Sequence, residues 1–473
     1  MMKTKKIVVK FGGSNLKQNG DIAKLIRVVK LYEQPIIIVV SALYGVTDSL
    51  VNTLREVKSD EYAISDIKTN LLEVHRQIVD LYIENSDIRE DALNKINQRV
   101  EELEKYLRGI NCLGEIPDFA EDLVLSYGER LSSLVFSAIL SDKNIPCREC
   151  LPEDLGLFTN GEYRNAAVDF SLSEKKVKQC LSGDDICIIP GFYGISPDAK
   201  VTLLGRGGSD YTAAAVARCI DAASIDLWKD VPGFMSADPK LVENPLVIHR
   251  LTYNEAAELC YFGARIAHPR TFEPAIEKKI PVRLFNINDF SAELKPVTVI
   301  EVEGVIKKDV IKSVTFSDDL GVLKLHGAGV GIKPGIMARV TTHLNDAGIN
   351  IKSIITSQTC INILLSRDDL AKGFQIAESI GLSTVDRVTA IDNISVIAVV
   401  GEGILEEPGI AARVFSAVSR HHINIRTISA GASDAAIYFI IDQKESVKAI
   451  QSIHDEFFSP TAWGGEGGSN ERN

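Results

Sequence analysis

Short apolar runs alternate with longer amphipathic stretches along the chain, a pattern typical of proteins that mix strands and helices. The first β-branched run, residues 5–10, stops at Gly12 and Gly13, and apolar residues then recur at helical spacing from 22 to 29. The same order returns at residues 201–204, which precede a glycine-rich loop and an alanine-rich helix predicted from about 211 to 220. Both segments therefore predict a strand, a glycine turn and a helix.

The two glycine loops are candidate anion sites. A loop of this kind presents backbone N–H groups beside a helix N-terminus, where negative charge is stabilised. Lys10 ends the first strand and adds a positive charge, while Arg206 stands between glycines and has the planar fork that pairs with carboxylates or phosphates. Taken alone, the first loop could be a plain turn, and Asp210 could be only a helix cap.

A third candidate lies in a predicted helix near residues 123–135. Its interior Gly128 costs about 1 kcal/mol relative to alanine, so we expect a ligand or another backbone segment to approach closely there. Glu129 beside it could hold an ammonium group, although a solvated helix glutamate is the alternative. The charged, periodic stretch from about 68 to 110 predicts further helices that decorate this part of the chain.

The last third of the chain contains an internal repeat. Pro334-Gly335 returns as Pro408-Gly409, an offset of 408 − 334 = 74 residues, and the flanking apolar residues keep that register. Each unit predicts a strand, a glycine turn, a Pro-Gly helix start and a second strand. Two such units resemble tandem ACT domains, which bind amino acids between paired copies, and a scaffold that only dimerises is the alternative.

Composition narrows the class of protein. The 473 residues include 45% hydrophobic and 25% charged residues with a net charge of −12, which predicts several globular domains and argues against a nucleic-acid partner. The start is too short in apolar residues for a signal peptide, and no apolar run reaches the ~20 residues of a membrane span, so we expect a cytoplasmic protein. The eight cysteines, including the single Cys147/Cys150 pair, are interpreted as reduced thiols, and no metal site is predicted.

Six segments together identify a family. KFGGSN (10–15), VVSALYGVTD (39–48), SYGERLS (126–132), LLGRGGSDYTAA (203–214), WKDVPGFMSADPK (228–240) and FGARIAHP (262–269) resemble the aspartate kinases in sequence and order. The resemblance implies an α/β amino acid kinase fold, a mostly parallel eight-stranded sheet between helical layers, at residues 1–305. Two ferredoxin-like α+β ACT domains would follow at 311–390 and 391–461. The Gly-, Ser- and Asn-rich composition of the end predicts a disordered tail at 462–473, and we expect no dehydrogenase domain because none fits after residue 461.

The resemblance also implies an activity and its residues. The family transfers phosphate from ATP, carried with Mg²⁺, to the side-chain carboxylate of L-aspartate, the first step towards lysine, threonine and methionine. By this likeness the catalytic residues are Lys10 and Asp210. The nucleotide would contact Lys10, Gly12, Gly13, Ser14, Lys229, Asp230, Met235, Lys240 and Arg265. Aspartate would contact Ser41, Glu129, Arg206, Gly207 and Gly208. An amino acid effector would contact Gly335, Ile336, Asn350, Ile351, Lys352, Thr356 and Ser357.

Some positions depart from the usual family pattern. Asn15 follows Ser14 in the first loop, arginine replaces the usual lysine at Arg265, and Met235 stands where tyrosine is common. Lysine-sensing relatives tend to carry an acidic residue at Lys352, so we expect threonine or another neutral effector, unless Lys352 only points to solvent. We also expect a homodimer or higher homo-oligomer through the ACT domains. A kinase acting on glutamate and a non-catalytic amino acid sensor with a decayed kinase domain are the alternatives.

Overall fold

A computed structural model describes residues 5–16, 21–289, 293–302 and 310–459, and the predicted tail at 462–473 lies outside them. The chain divides into two compact units. The N-terminal unit comprises Met1–Phe234, Val247–Cys260 and Arg265–Val305. The C-terminal unit comprises Met235–Leu246, Tyr261–Ala264 and Ile306–Asn473, so two short pieces of the kinase-like sequence belong to it.

The N-terminal unit mixes strands and helices, as the sequence pattern predicts, with four successive helices after its second strand. Its described residues also include two 3-10 turns, Gly13–Asn15 and Pro269–Thr271. Its strands and helices are β1 (Ile7–Phe11), α1 (Asp21–Leu31), β2 (Ile36–Val40), α2 (Val46–Glu56), α3 (Tyr62–Tyr82), α4 (Ser86–Leu113), α5 (Asp118–Asp142), β3 (Cys147–Glu149), α6 (Pro152–Leu155), α7 (Phe170–Cys180), β4 (Ile186–Pro190), β5 (Tyr193–Ile195), β6 (Val201–Leu203), α8 (Gly208–Ile220), β7 (Ser224–Lys229), β8 (Arg250–Thr252), α9 (Tyr253–Tyr261), α10 (Glu273–Lys278), β9 (Val282–Asn286) and β10 (Thr298–Glu301).

An eight-stranded sheet forms the centre of this unit, in the order β3-β4-β2-β1-β7-β9-β10-β8. Neighbouring strands run parallel except β9 and β10, which are antiparallel. Every residue of β1 and β2 is buried, as expected for apolar parallel strands covered by helices on both faces. The predicted fold class, a mostly parallel eight-stranded sheet with helical layers, is confirmed.

Helix α5 is the most deeply buried long helix described in this unit. It is long and apolar enough to cross a membrane by length and composition, but 78% of its most apolar window is buried inside the protein, as in a core helix. Its interior glycine does mark a close approach. A Cβ on Gly128 would lie 2.9 Å from Ala42 Cβ and 3.6 Å from Val46 Cγ1, so the neighbours are the start of α2 and the loop before it.

Two helix glycines give a paired prediction about stability. Gly109 in α4 has open space where a Cβ would stand, so Gly109→Ala is expected to raise the free energy of unfolding by up to about 1 kcal/mol. Gly128→Ala must displace Ala42 and is expected to lower it by about 1–3 kcal/mol. Urea unfolding of both variants measures the difference, and two changes of the same sign would contradict the packing described for α5.

The C-terminal unit contains both copies of the repeat. The helix after each Pro-Gly begins at Ile336 or Ile410, and Gly335 and Gly409 precede these helices with φ of +86° and +90°. The elements are β11 (Ser313–Ser317), β12 (Leu320–His326), α11 (Ile336–Asp346), β13 (Ile351–Thr356), β14 (Cys360–Ser366), α12 (Arg367–Ser379), β15 (Arg387–Ile391), β16 (Ile394–Val400), α13 (Ile410–Ser419), β17 (Thr427–Ala430), β18 (Ala436–Asp442) and α14 (Ser446–Phe458), with a 3-10 turn at Gln443–Glu445.

The two repeats form separate antiparallel sheets, and the strand that precedes the first repeat belongs to the sheet of the second. The first sheet has the order β13-β14-β12-β15, and the second has the order β11-β16-β18-β17. β11 precedes the first repeat in the chain, yet it pairs with β16 of the second, with Ser313 opposite Val400. The predicted boundary at 311 therefore assigns to the first repeat a strand that belongs to the sheet of the second.

Candidate active site

The candidate site lies at the carboxyl ends of three adjacent parallel strands in the middle of the large sheet, β2, β1 and β7. In β1 Phe11 is level with Val40 of β2 and Trp228 of β7. The residues that follow these strands therefore lie side by side, as is usual for ligand sites of parallel sheets. The Ser41 N–H donates to Phe11 O at 3.2 Å, which joins the end of β2 to the end of β1.

A buried carboxylate between two lysines lies at the centre of the candidate site. Lys10 Nζ lies 2.6 Å from Asp210 Oδ1, and Lys229 Nζ lies 2.7 Å from Asp210 Oδ2. Lys10 and Asp210 are only 5% and 4% exposed. The two ion pairs thus join Lys10, Asp210 and Lys229 into one charged group with a net charge of +1. Its members are up to 229 − 10 = 219 positions apart in the sequence.

The charges of this group depend on each other. Burial would raise the pKa of Asp210, but the nearby ammonium groups of Lys10 and Lys229 outweigh it and hold the pKa at about 2. Burial lowers the pKa of Lys10, helped by Lys229 and opposed by Asp210. Asp210 lies in the first turn of α8, whose N-cap is Gly207 without a side-chain cap. Its carboxylate pairs with lysines rather than capping the helix.

Glu129 on α5 adds a second carboxylate to the site. It is 4% exposed, and its Oε2 has no hydrogen-bond partner among the described residues. Burial raises the pKa of Glu129 to about 8, although the backbone N–H of Ala42, the charge of Lys10 and the Ser209 hydroxyl oppose the rise. An unpartnered oxygen on a buried carboxyl group suits a cationic ligand group, because an ammonium would supply the missing donor.

The first glycine loop is fastened to the end of β7 by two side chains. Ser14 Oγ donates to Asp230 Oδ1 at 3.0 Å, and Asn15 Nδ2 donates to Trp228 O at 2.7 Å. A Cβ on Gly12 would lie 3.4 Å from Lys10 Nζ, and one on Gly13 would lie 3.0 Å from Ala42 O. The bare backbone therefore leaves room beside Lys10. Asn15, noted in the sequence only as a departure, is a buried structural link.

The second glycine loop carries the only arginine of the GRGGSD segment. Arg206 is exposed and forms no ion pair or hydrogen bond within the described ranges, so its guanidinium group can take an anion. Gly205 and Gly207 have φ of +75° and +71°, a region that glycine adopts without strain. Gly208 begins α8, and its Cβ would meet Phe192 at 2.9 Å.

Three further residues are predicted to contact the nucleotide. Met235 and Lys240 belong to the C-terminal unit, where Met235 O accepts a hydrogen bond from Ser313 Oγ at 2.8 Å. Lys240 lines a cavity of about 500 Å³ together with Glu243 and Gln451. Arg265 is exposed in the turn after α9. Their contacts with a nucleotide remain predictions.

The predicted effector residues lie in the first repeat. Gly335 and Ile336 start α11, and a Cβ on Gly331 would collide with Ser357 O, so the glycine turn packs on the turn after β13. Lys352 is half-buried, with Nζ 4.8 Å from the centre of the Tyr261 ring. Its side chain lies along an aromatic ring rather than pointing only to solvent. Asn350, Ile351 and Thr356 lie just before, at the start and at the end of β13.

Two residues that the sequence did not single out, Ser209 and Asp122, form contacts that support the site. Ser209 is inside the GRGGSD segment, but its contact with Glu129 has no local signal. Asp122 of α5 is fully buried and accepts the Leu203 and Arg164 N–H groups at 2.8 and 2.9 Å. Burial raises the pKa of Asp122 to about 6. Across the described ranges, no group of three or more His, Cys, Asp or Glu side chains has metal-binding geometry.

Comparison with known proteins agrees with the fold. Residues 5–286 match the amino acid kinase family, and residues 315–376 and 397–457 each match an ACT domain. The aspartokinase of Saccharomyces cerevisiae is 27% identical over 496 residues, covering 96% of this chain and 93% of that protein. The bifunctional aspartokinase/homoserine dehydrogenase of Buchnera aphidicola is 29% identical, covering 95% of this chain and 56% of that protein. The chain spans about half the length of such bifunctional relatives.

Solved structures give the same architecture. E. coli aspartokinase III in complex with aspartate and ADP superposes with a TM-score of 0.81 at 24% identity, covering 96% of this chain and 100% of that chain. The complex of that enzyme with lysine and aspartate gives a TM-score of 0.77. At this level of identity the likeness establishes the fold. Because the kinase family match extends over more than half of the sequence, this chain belongs to the amino acid kinase family and carries two ACT domains.

Proposed function

We propose that the protein is an aspartate kinase, which transfers the γ-phosphoryl group of ATP to the side-chain carboxylate of L-aspartate. The products would be 4-phospho-L-aspartate and ADP. The observation that carries the proposal is the buried Asp210 between Lys10 and Lys229, with the unpartnered oxygen of Glu129 nearby. The choice of aspartate is supported by the relatives, which are named aspartokinases, and by the aspartate and ADP bound in the E. coli structure.

The reaction needs positioning and positive charge more than proton transfer. A carboxylate with a pKa of about 4 is already ionised at neutral pH, so it needs no general base. One of its oxygens attacks the γ-phosphorus, the bond to the β,γ-bridging oxygen breaks, and ADP leaves with that electron pair. Lys10 and Lys229 would stabilise the charge that spreads over the γ-oxygens, and Asp210 would hold both ammonium groups in place.

The substrates would occupy the two glycine loops. Gly12, Gly13 and Ser14 would contact the ATP phosphates, with Asp230 beside them through its hydrogen bond to Ser14. Glu129 would accept the α-ammonium of aspartate, and Arg206 would bind its α-carboxylate. The pocket for aspartate would also include Ser41, Gly207 and Gly208. The nucleotide would make further contacts with Met235, Lys240 and Arg265. Mg²⁺ would arrive with ATP and neutralise phosphate charge.

Trapping the acyl phosphate tests the activity. Purified protein is incubated with MgATP, L-aspartate and hydroxylamine, and aspartyl hydroxamate is measured beside an L-glutamate reaction. Aspartate-dependent hydroxamate is the expected result. Signal with glutamate alone would favour a sibling kinase with another substrate, and ATP binding without any turnover would favour the non-catalytic sensor.

Glu129 gives a prediction about pH. Because its pKa is about 8 without substrate, Glu129 must lose a proton before it can pair with the ammonium of aspartate at lower pH. The KM for aspartate is therefore expected to fall about tenfold per unit from pH 6 to pH 8 and then level off, since one pKa unit is 1.36 kcal/mol. Initial rates at several aspartate concentrations and pH values measure this dependence.

Two variants are the controls for the pH experiment. Glu129→Gln keeps the shape of the side chain but cannot ionise, so its KM is expected to be about 10–100-fold higher at pH 8 and independent of pH. Glu115→Gln, at an exposed glutamate before α5, should behave as the wild type. A wild-type KM that does not change between pH 6 and pH 8 would contradict the role given to Glu129.

Regulation by an amino acid at the ACT domains is part of the proposal. The enzyme would then control entry into lysine, threonine and methionine synthesis, in the cytoplasm and as a homodimer or higher homo-oligomer. The effector would bind near Gly335, Ile336, Asn350, Ile351, Lys352, Thr356 and Ser357. The positive charge of Lys352 would repel a lysine side chain, which favours threonine or another neutral effector.

An effector panel tests this choice. Threonine, lysine and methionine are added separately to the hydroxamate assay at equal concentrations. Inhibition by threonine or another neutral amino acid is expected, with little effect of lysine. Inhibition by lysine alone would reject the argument from Lys352.

A further inference from the structure

The second glycine loop has few contacts of its own that could fix its shape. Gly208 N donates to Gly205 O at 2.9 Å, and Tyr211 N donates to Gly207 O at 3.0 Å, which are only local turn and helix bonds. No side chain caps the start of α8. A loop with two glycines in the left-handed region has many alternative conformations, so residues outside it must select this one.

Arg270, in the Pro269–Thr271 turn, contacts three stretches of the chain around this loop, through backbone carbonyls and side chains. Its Nη1 donates to Asn165 Oδ1 at 2.6 Å and to Leu204 O at 3.2 Å, and its Nη2 donates to Ala166 O at 2.9 Å. The guanidinium carbon also lies 4.8 Å from the centre of the Tyr211 ring. One side chain thus joins the residue before the loop, the segment beside it and the first helical turn after it.

The segments that Arg270 joins lie directly against the loop glycines. A Cβ on Gly205 would lie 2.8 Å from Asn165 Oδ1, and one on Gly207 would collide with His268 Cβ. His268 Nδ1 accepts a hydrogen bond from the backbone N–H of Arg270 at 3.4 Å, so both residues are held in the same turn. Asn165 and this turn are therefore packed closely against the loop that carries Arg206, and a shift of either towards the loop must displace it.

We propose that Arg270 is the positioning residue for the Gly205–Gly208 loop and, through it, for the site that binds the α-carboxylate of the substrate. This inference rests on the proposed function. Loss of the Arg270 side chain is expected to change the KM for aspartate and not the KM for ATP. Asp210, two residues after the loop, is held separately by Lys10 and Lys229, so the phosphoryl-transfer group should keep its geometry without Arg270.

Arg270→Met tests the proposal, with Arg218→Met as the matched control. Arg218 is also an arginine over an aromatic ring, 3.6 Å from the centre of Phe170, and it pairs with Glu277 rather than with the loop. We expect Arg270→Met to raise the KM for aspartate about tenfold or more, with kcat and the KM for ATP within about threefold of wild type. Arg270→Lys should recover part of the loss, because an ammonium can reach fewer of the three acceptors.

Hydrogen exchange measures the loop without relying on activity. In Arg270→Met, the backbone amides of peptides that cover residues 164–166 and 203–210 should exchange faster than in the wild type. In Arg218→Met, their exchange should be the same as in the wild type. Unchanged exchange in Arg270→Met, or equal changes in kcat for both variants, would overturn the proposal. If the wild type makes no hydroxamate but the exchange changes as expected, the proposed function fails while Arg270 still positions the loop.

Discussion

Replacing Lys10 with alanine is expected to lower kcat for aspartate phosphorylation about a thousandfold, by analogy with the loss of one charge-stabilising donor at other transition states. Lys10 Nζ is buried at the end of β1 beside Asp210, and no other described ammonium group except Lys229 shares that carboxylate. The alanine variant keeps Lys229 and the glycine loops, so ATP should still bind. The hydroxamate assay gives kcat, and equilibrium binding gives the affinity for ATP.

Lys5→Ala is the control for this experiment. Lys5 lies just before the same strand, but its side chain is 57% exposed and pairs with Asp221 at the surface. It should change kcat by less than about twofold, since exposed ion pairs contribute little. A Lys10→Ala variant that folds and retains more than a tenth of the wild-type kcat would show that the lysine does not stabilise the transferred phosphoryl group.

Asp210→Asn is expected to cause the largest loss of stability, about 3–5 kcal/mol of the free energy of unfolding at pH 7, as for other buried charges that lose a partner. The variant leaves Lys10 and Lys229 facing each other without a counter-charge. The loss should shrink as pH rises, because deprotonation of one lysine relieves the repulsion. In the wild type, Asp210 contributes stability above its unfolded pKa of about 3.8, and this is lost as pH falls towards about 2.

Urea unfolding at pH 7 and pH 9.5, followed by circular dichroism and by tryptophan fluorescence, measures this change. The double variant Lys10→Met with Asp210→Asn should be more stable than Asp210→Asn alone, because only one buried ammonium group remains. If Asp210→Asn unfolds at the wild-type urea concentration at both pH values, the ion pairs contribute no net stability.

Local patterns predicted those parts of the fold that depend on neighbouring residues. The strand, glycine turn and helix around Lys10 and around Gly208 follow from periodicity and glycine placement, and the offset of 74 located both Pro-Gly helices. The start of α8 was predicted three residues late, because no capping side chain marks it. The pairing of β11 with β16 could not be predicted, since a strand of five residues with only two apolar side chains does not specify its partner.

The residues of the candidate site that lie in recognisable motifs could be predicted, whereas the residues that support them could not. The resemblance named Lys10, Asp210, Lys229 and Glu129, and the structure brings these side chains together. Asp122 and Arg270 gave no signal, because a helical aspartate and an arginine in a turn are ordinary surface residues until the chain folds around them. Gly128 was correctly expected to mark a close approach, but the sequence could not tell that Ala42 is the neighbour.

The pairing of strand β11 constrains how the two repeats can be rearranged by recombination. Because β11 lies before the first repeat and pairs in the sheet of the second, the first repeat is nested inside the second. A gene fragment that starts at β16 would encode a sheet with an unpaired edge, open to pairing with other chains. Exchange of a whole regulatory module therefore requires a crossover before Ser313, whereas the first repeat alone can be replaced by two crossovers that flank β12 and β15.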